Sequence, residues 1–315
     1  MTDIVTFGEA MAALRAARPL RLGGDATLSI AGAEANVAIG LARLGHAARW
    51  TGVVGADELG ALVLRTLRAE RVDVDTAETD PVAPTGMVVF ESRVAHVTRV
   101  TYLRTGSAGS RLSPRHVDDA FADAPRMLHV TGITPALGPG PRTAVQYAVG
   151  LARKAGVQVC LDVNHRARLW TREEAAAVLR PLMSAVDLLV ASEDELPLAA
   201  PPGATSYHDR VRALHDLGVS EVIVKRGADG ACVHSGTRSV DRPARPVPVL
   251  DTVGAGDAFT AGYLSGRLDG LGIEDCLNRA VTTAAFAVAS HGDWEGLPTR
   301  ADLALLDAPP GSAVR

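Results

Sequence analysis

Short apolar runs alternate with stretches of helical spacing over most of the chain, and this pattern predicts βα units around a mostly parallel sheet. IVTF (4–7) reads as the first strand. AEANVAIGLARLG (33–45) has its apolar residues at helical spacing and stops at Gly45, a glycine suited to a helix C-terminus. ARWTGVV (48–54) reads as one strand, and Asp57 to Ala69 as a helix that Asp57 caps. After residue 113 the same rhythm predicts strands in RMLHVTG (126–132), VQVCLDVN (157–164), VDLLVAS (186–192) and SEVIVKRG (220–227). Helices fill the gaps near 141–155, 172–185 and 206–217, the last with Ser206 as its cap. Two more, about 255–268 and 273–290, close the domain, and a loose Pro-rich tail follows residue 308.

The stretch 82–104 breaks this rhythm. TGMVVFES and TRVTYLR are β-prone runs joined by a short polar turn with no helix between them. Such a hairpin inside an α/β chain forms either a flap or an extension of the sheet edge. The segment 10–32 lacks helical punctuation and is expected to add strands to the same flap. In open parallel sheets ligands bind beyond the carboxyl ends of the strands. LDVNHR (161–166), KRG (225–227) and DTVGAGD (251–257) all fall after expected strands, so they are expected to converge on one edge.

Composition narrows the classes. With 315 residues the chain can bury a large core, and aromatics at 4% argue against a stacking surface for single-stranded nucleic acid. The net charge of −4 is spread over both halves without a block of like charges, so no footprint for DNA or an anionic membrane is visible. Cys160, Cys232 and Cys276 are far apart and odd in number, without metal-ligand spacing, which suits buried small hydrophobes in a reduced compartment. The N-terminus has no basic-then-apolar signal pattern and no long uninterrupted apolar run occurs, so a soluble cytoplasmic protein is expected.

The candidate chemistry lies in DTVGAGDAFTAGYLSGRL (251–268). A lone aspartate just inside a helix is explained by capping or by the helix dipole. Gly254 and Gly256 are not, because a cap has no need of two residues without side chains. Glycines before a helix allow several N–H groups to turn toward one anion, placing Asp257 beside a cradle for it. A Walker loop and a GxGxxG fingerprint are both missing, so this turn has to be read on its own terms. Phosphoryl transfer to an alcohol needs a base, donors for the phosphoryl oxygens and a metal on the phosphates. Asp257 offers the first, and the N–H groups of Ala255, Gly256 and Asp257 offer the second. A tight helix entry with small residues for close packing is the plainer alternative.

These residues carry a family resemblance. DTVGAGDAFTAGYL resembles the C-terminal signature of the PfkB, or ribokinase-like, carbohydrate kinases, and AGAEANVAIGLARLG followed by GVVGADELG resembles their N-terminal one. The two signatures stand in the family's order near opposite ends of the chain. Within that family the sequence is most similar to the 2-keto-3-deoxygluconate kinases, through GEAM (8–11), GAEANVA (32–38), YLRTGSAGS (102–110), HVTGITPAL (129–137), LDVNHR and HGDWEG (291–296).

The resemblance implies a Rossmann-like α/β fold with a small β-sheet lid: a main domain of 1–9, 33–81 and 105–315, and a lid of 10–32 and 82–104. It implies ATP and Mg²⁺ and transfer to a sugar-acid hydroxyl; an exposed lid edge is expected to pair with another subunit in a homo-oligomer. Asp257 would be the base and Gly254, Ala255 and Gly256 the anion hole. The nucleotide would meet Asn164, Ser192, Lys225, Arg226, Gly227 and Gly230, with Glu195 near the metal through water. The sugar acid would meet Gly32, Asn36, Tyr102, Arg104 and Arg166, with Asp293 near its end. Some relatives hold a monovalent cation near the position of Asp251, and the resemblance leaves that open here. Two arginines agree with an acid, since a carboxylate is matched by forked, permanently charged donors. His129 and His165 lack metal-ligand spacing and read as structural. His165, Val88 and Val281 depart from residues common in relatives, and they bear on sugar contacts and on base choice. The rivals are a kinase for a neutral sugar and a sensor that keeps the fold without turnover.

Overall fold

A computed structural model of the chain describes residues 2–94 and 97–308, with side chains at 92–94 and 97 left aside. The Pro-rich tail after 308 and the tip of the 82–104 hairpin, at 95 and 96, lie outside the described residues. The six strands expected from the apolar runs join two others in one sheet of eight. Its order runs Arg238–Arg242, Ala231–Ser235, Glu221–Lys225, Leu188–Ser192, Gln158–Asp162, Met127–Thr131, Ile4–Phe7, Ala48–Thr51. The last six run parallel, and the first two add antiparallel at one edge.

Alternation along these strands fills two cores, one on each face. Val5, Leu128, Val159, Leu161, Leu189 and Val222 pack under the helices Pro114–Ala120, Pro139–Ala155, Arg172–Leu179 and Tyr207–Asp216. Ile4, Trp50, Met127, Cys160, Leu188 and Ile223 face the helices Ala33–Arg43, Glu58–Ala69, Ala255–Leu268 and Ile273–Val288. Caps read from the sequence are in place. Asp57 Oδ1 accepts from Gly60 N at 2.7 Å, and Ser206 Oγ accepts from Asp209 N at 3.1 Å. The three cysteines are free and buried. Buried His129 meets Thr6 Oγ1 through Nδ1 at 3.0 Å, and burial pushes its pKa down to about 3, so it stays a neutral core residue.

A second, four-stranded sheet takes the order Ala26–Ala31, Met11–Ala16, Met87–Val94, Val97–Leu103. Met11, Ala13, Ala31, Val88 and Phe90 make its inward face, and Leu28 and Leu103 stand exposed on the other. No helix among the described residues is long and apolar enough to cross a membrane.

Three expectations are corrected. ARWTGVV is not one strand: Ala48–Thr51 stays in the large sheet, whereas Val53–Gly55 pairs with Glu78–Asp80. The chain leaves at Gly52, whose carbonyl accepts from Glu78 N at 2.9 Å. The DTVGAGD turn does not follow a strand directly. It follows an irregular stretch from 243 to 250, where Pro243, Pro246 and Pro248 have no N–H to give a ladder. The helix expected over 172–185 is α only to Leu179 and tightens to 3₁₀ from Arg180 to Ala185. The helix Pro114–Ala120 and the two antiparallel edge strands are additions to the sequence reading.

Candidate active site

Gly254 opens the site. It caps the helix Ala255–Leu268 with a left-handed backbone, φ +76°, and a Cβ there would overlap the carbonyl of Asp293. Only glycine fits both constraints without strain. The turn leaves the first helical N–H groups exposed. Those of Gly256 and Asp257 have no protein acceptor among the described residues, and that of Ala255 makes one long contact, 3.4 Å, to Thr252 O. Free N–H groups at the positive end of a helix attract an anion.

Asp257 sits one turn into the same helix and lines the cavity before it. Asn36 Nδ2, from the first turn of Ala33–Arg43, donates to its Oδ2 at 2.8 Å, and Asn164 Nδ2 reaches Oδ1 at 3.5 Å. Asn164 holds φ +38°, a left-handed conformation that asparagine tolerates better than most residues, just past the strand Gln158–Asp162. Burial pushes the Asp257 carboxyl up to about 7, against the pull of the Asn36 hydrogen bond and the Arg166 charge. The group is therefore poised near neutral pH, where a proton acceptor works best.

Two cavities meet at this turn. One, of about 470 Å³, lies between the large sheet's carboxyl edge and the inward face of the small sheet. Gly32, Asn36, Tyr102, Arg104, Arg166 and Asp293 line it, together with Asn164, Ser192, Glu195 and Asp257. The other, of about 570 Å³, is mostly apolar, with Phe259, Val281, Ala284, Val288 and Val247 around Gly227 and Gly230. Lys225, Thr252 and Gly256 belong to both walls.

The charges around the first cavity differ in how free they are. Arg166 is exposed and makes no ion pair among the described residues, while Arg104 is nearly buried and pairs with Glu9. Lys225 Nζ reaches both oxygens of Asp162 at 2.9 Å. Burial opposes the ammonium, but Asp162, Glu195 and Asp257 outweigh it and raise its pKa, so it stays charged. Asp293 pairs with Arg15 of the small sheet, and burial lifts its carboxyl to about 6 against that arginine. Arg15 also reaches Asp251 at 3.1 Å and lies over the Phe90 ring.

Arg226 turns its guanidinium to Glu193 at 3.1 Å and Asp241 at 2.6 Å and is not among the residues that line either cavity. Glu195 is buried with both carboxylate oxygens engaged, accepting from His165 N at 2.7 Å and Ser192 N at 2.9 Å. Four buried acids among the described residues carried no expected role: Glu9, Asp162, Glu221, and Glu34, which accepts from the hydroxyls of Thr131 and Thr134 at 2.6 Å each. An acid placed directly after an apolar strand, as in GEAM and LDVN, is the signal that points to the first two.

A carboxyl raised to near neutral pH beside free amides, where an apolar cavity joins a polar one, would suit a phosphotransferase acting on an alcohol. The family model described as pfkB family carbohydrate kinase matches residues 1–300. A 2-dehydro-3-deoxygluconokinase of Bacillus subtilis (strain 168) is 36% identical over 96% of this chain and 94% of its own length. One of Thermoproteus tenax is 35% identical over 95% and 92%. Among solved structures, a protein from E. coli in complex with ATP and Mg²⁺, given the working name Ribokinase II, superposes with a TM-score of 0.90. It is 25% identical and covers 98% of this chain and 99% of its own. The chain belongs to the PfkB family of carbohydrate kinases.

Proposed function

We propose that the chain transfers the γ-phosphoryl group of ATP to the terminal hydroxyl of 2-keto-3-deoxygluconate. The observation that carries this reading is Asp257, held by Asn36 at the junction of the two cavities beside the unpaired N–H groups of Gly256 and itself. The sugar acid lies in the polar cavity with its carboxylate toward Arg104 and Arg166, and the nucleotide lies in the apolar one. The substrate hydroxyl gives its proton to Asp257 as its oxygen bonds to the γ-phosphorus. The bond from that phosphorus to the bridging oxygen breaks, and its electron pair leaves with ADP. Lys225 and the amides of Ala255 to Asp257 stabilise the charge on the moving group, in a setting that needs no reorganisation.

The donor set fits a Mg²⁺ ion carried in on the triphosphate. Among the described residues no cluster of three His, Cys, Asp or Glu side chains forms a cage, and Glu195, its oxygens already accepting from the backbone, would hold the ion through water. When bound, the ion would supply positive charge that neutralises the phosphates. Asp251 is already paired with Arg15, so no monovalent cation enters the proposal. The small sheet acts as a lid that excludes water from the reacting phosphoryl group. Its exposed outer leucines, Leu28 and Leu103, are where a second copy of the chain docks.

The test is an ADP-release assay over 2-keto-3-deoxygluconate, 2-keto-3-deoxygalactonate, 5-keto-2-deoxygluconate, fructose and ribose. The keto acid is expected to lead. Arg166→Ala should raise its KM by about 10- to 100-fold, the worth of a charge-assisted pair. Preference for a neutral sugar, with Arg166→Ala silent, rejects the acid reading.

A further inference from the structure

Glu9 is only 3% exposed, yet it borders the polar cavity where an anion is to bind. It lies on the crossover from the strand Ile4–Phe7 of the large sheet to Met11–Ala16 of the small one. Its two carboxylate oxygens are divided. Ser107 Oγ donates to Oε1, and the Arg104 guanidinium pairs with Oε2. Arg104 and Ser107 bracket the turn by which the chain leaves the small sheet, where Ser107 N donates to Arg104 O at 3.1 Å. The backbones of Gly86 and Gly109 approach this side chain closely, since a Cβ on either would overlap it. Arg104 keeps its Nε without a hydrogen-bond partner among the described residues and has the Tyr102 ring 5.6 Å away.

We propose that Glu9 is a positioning residue, which holds the Arg104 guanidinium in the orientation that leaves its free N–H groups facing the carboxylate of the sugar acid. This rests on the reading of Arg104 as a carboxylate ligand. An unrestrained arginine samples many rotamers, and ordering it on binding costs affinity; an arginine already pinned at one end avoids that cost. The two possible roles of Glu9 predict opposite signs. A charge that merely offsets Arg104 weakens the pull on an anion, so its removal lowers KM. A charge that orients Arg104 raises KM when it is lost.

The experiment compares wild type, Glu9→Gln, Arg104→Ala and the double variant by ADP release with 2-keto-3-deoxygluconate, alongside thermal melting. Glu9→Gln keeps the volume and is expected to raise KM about tenfold, with the smaller part of the loss in kcat. The double variant should be no worse than Arg104→Ala, because a residue that acts through another has nothing to add once that other is gone. An unchanged or lower KM for Glu9→Gln, or additive losses in the double variant, overturns the proposal while leaving Arg104 as a ligand. A silent Arg104→Ala overturns both. If Glu9→Gln does not fold, Ser107→Ala loosens the same carboxylate: KM should rise about two- to threefold, and no rise overturns the proposal.

Discussion

Replacing Asp257 by Asn should give a protein that is nearly inactive and more stable, a combination that a merely structural aspartate would not give. The carboxyl, 9% exposed, is shifted by burial from an ordinary 3.8 to about 7. Between those values the native chain holds a proton that the unfolded chain has lost, so stability falls as pH rises through that window. At about 1.4 kcal/mol per pH unit, keeping Asp257 ionised at pH 8 costs the native state on the order of 4 kcal/mol, and water in the cavity reduces this toward 2. Asparagine resembles the protonated form and carries none of that cost. Its melting temperature should therefore exceed that of wild type by roughly 4–8 °C at pH 8 and match it near pH 4. In turnover, loss of the base should lower kcat by about 10²- to 10⁴-fold, while ATP still binds by calorimetry. Wild-type kcat/KM should rise with pH through an inflection near 7 and level off above it, as the Asp257 carboxyl ionises. A variant within tenfold of wild-type kcat, or one that melts lower at pH 8, refutes the assignment.

Three further changes probe the surroundings. Lys225→Met leaves the Asp162 carboxylate, 1% exposed, with Thr260 Oγ1 at 3.0 Å as its remaining side-chain partner among the described residues. It should cost about 3–5 kcal/mol, seen as a melting temperature lower by roughly 10 °C, and an unshifted melt would contradict the buried pair. Gly254→Ala forces a Cβ into left-handed backbone against the Asp293 carbonyl, so kcat should fall by about 10²-fold as the amides tilt; a loss under threefold would mean they do not hold the phosphoryl group. Leu28→Glu places a charge on the outer face of the small sheet and should shift sedimentation toward the monomer. Equal sedimentation of both proteins would place the contact elsewhere.

What the sequence made legible was local. The strands from 127 to 225 follow from unbroken apolar runs, and the caps at Asp57 and Ser206 from one polar residue before a periodic stretch. The turn at Gly254 was readable because its two glycines had no other purpose. What escaped depends on neighbours distant in the chain. Arg226 follows a strand like Lys225 does, but which way it turns is decided by Glu193 and Asp241. The burial of Glu9 depends on Gly86 and Gly109, about eighty and a hundred residues away. The break in ARWTGVV depends on Glu78 offering a second place to pair. Such choices are made by packing, and no periodicity records them.

The wall shared by the two cavities constrains how they can be studied and blocked. Since Lys225, Thr252 and Gly256 face both, a substitution at any of them perturbs both substrates at once and cannot apportion an effect. The same adjacency means that a single compound joining a flat apolar ring to a polyol acid would bridge no solvent gap. Its two ends would act at high effective concentration toward each other.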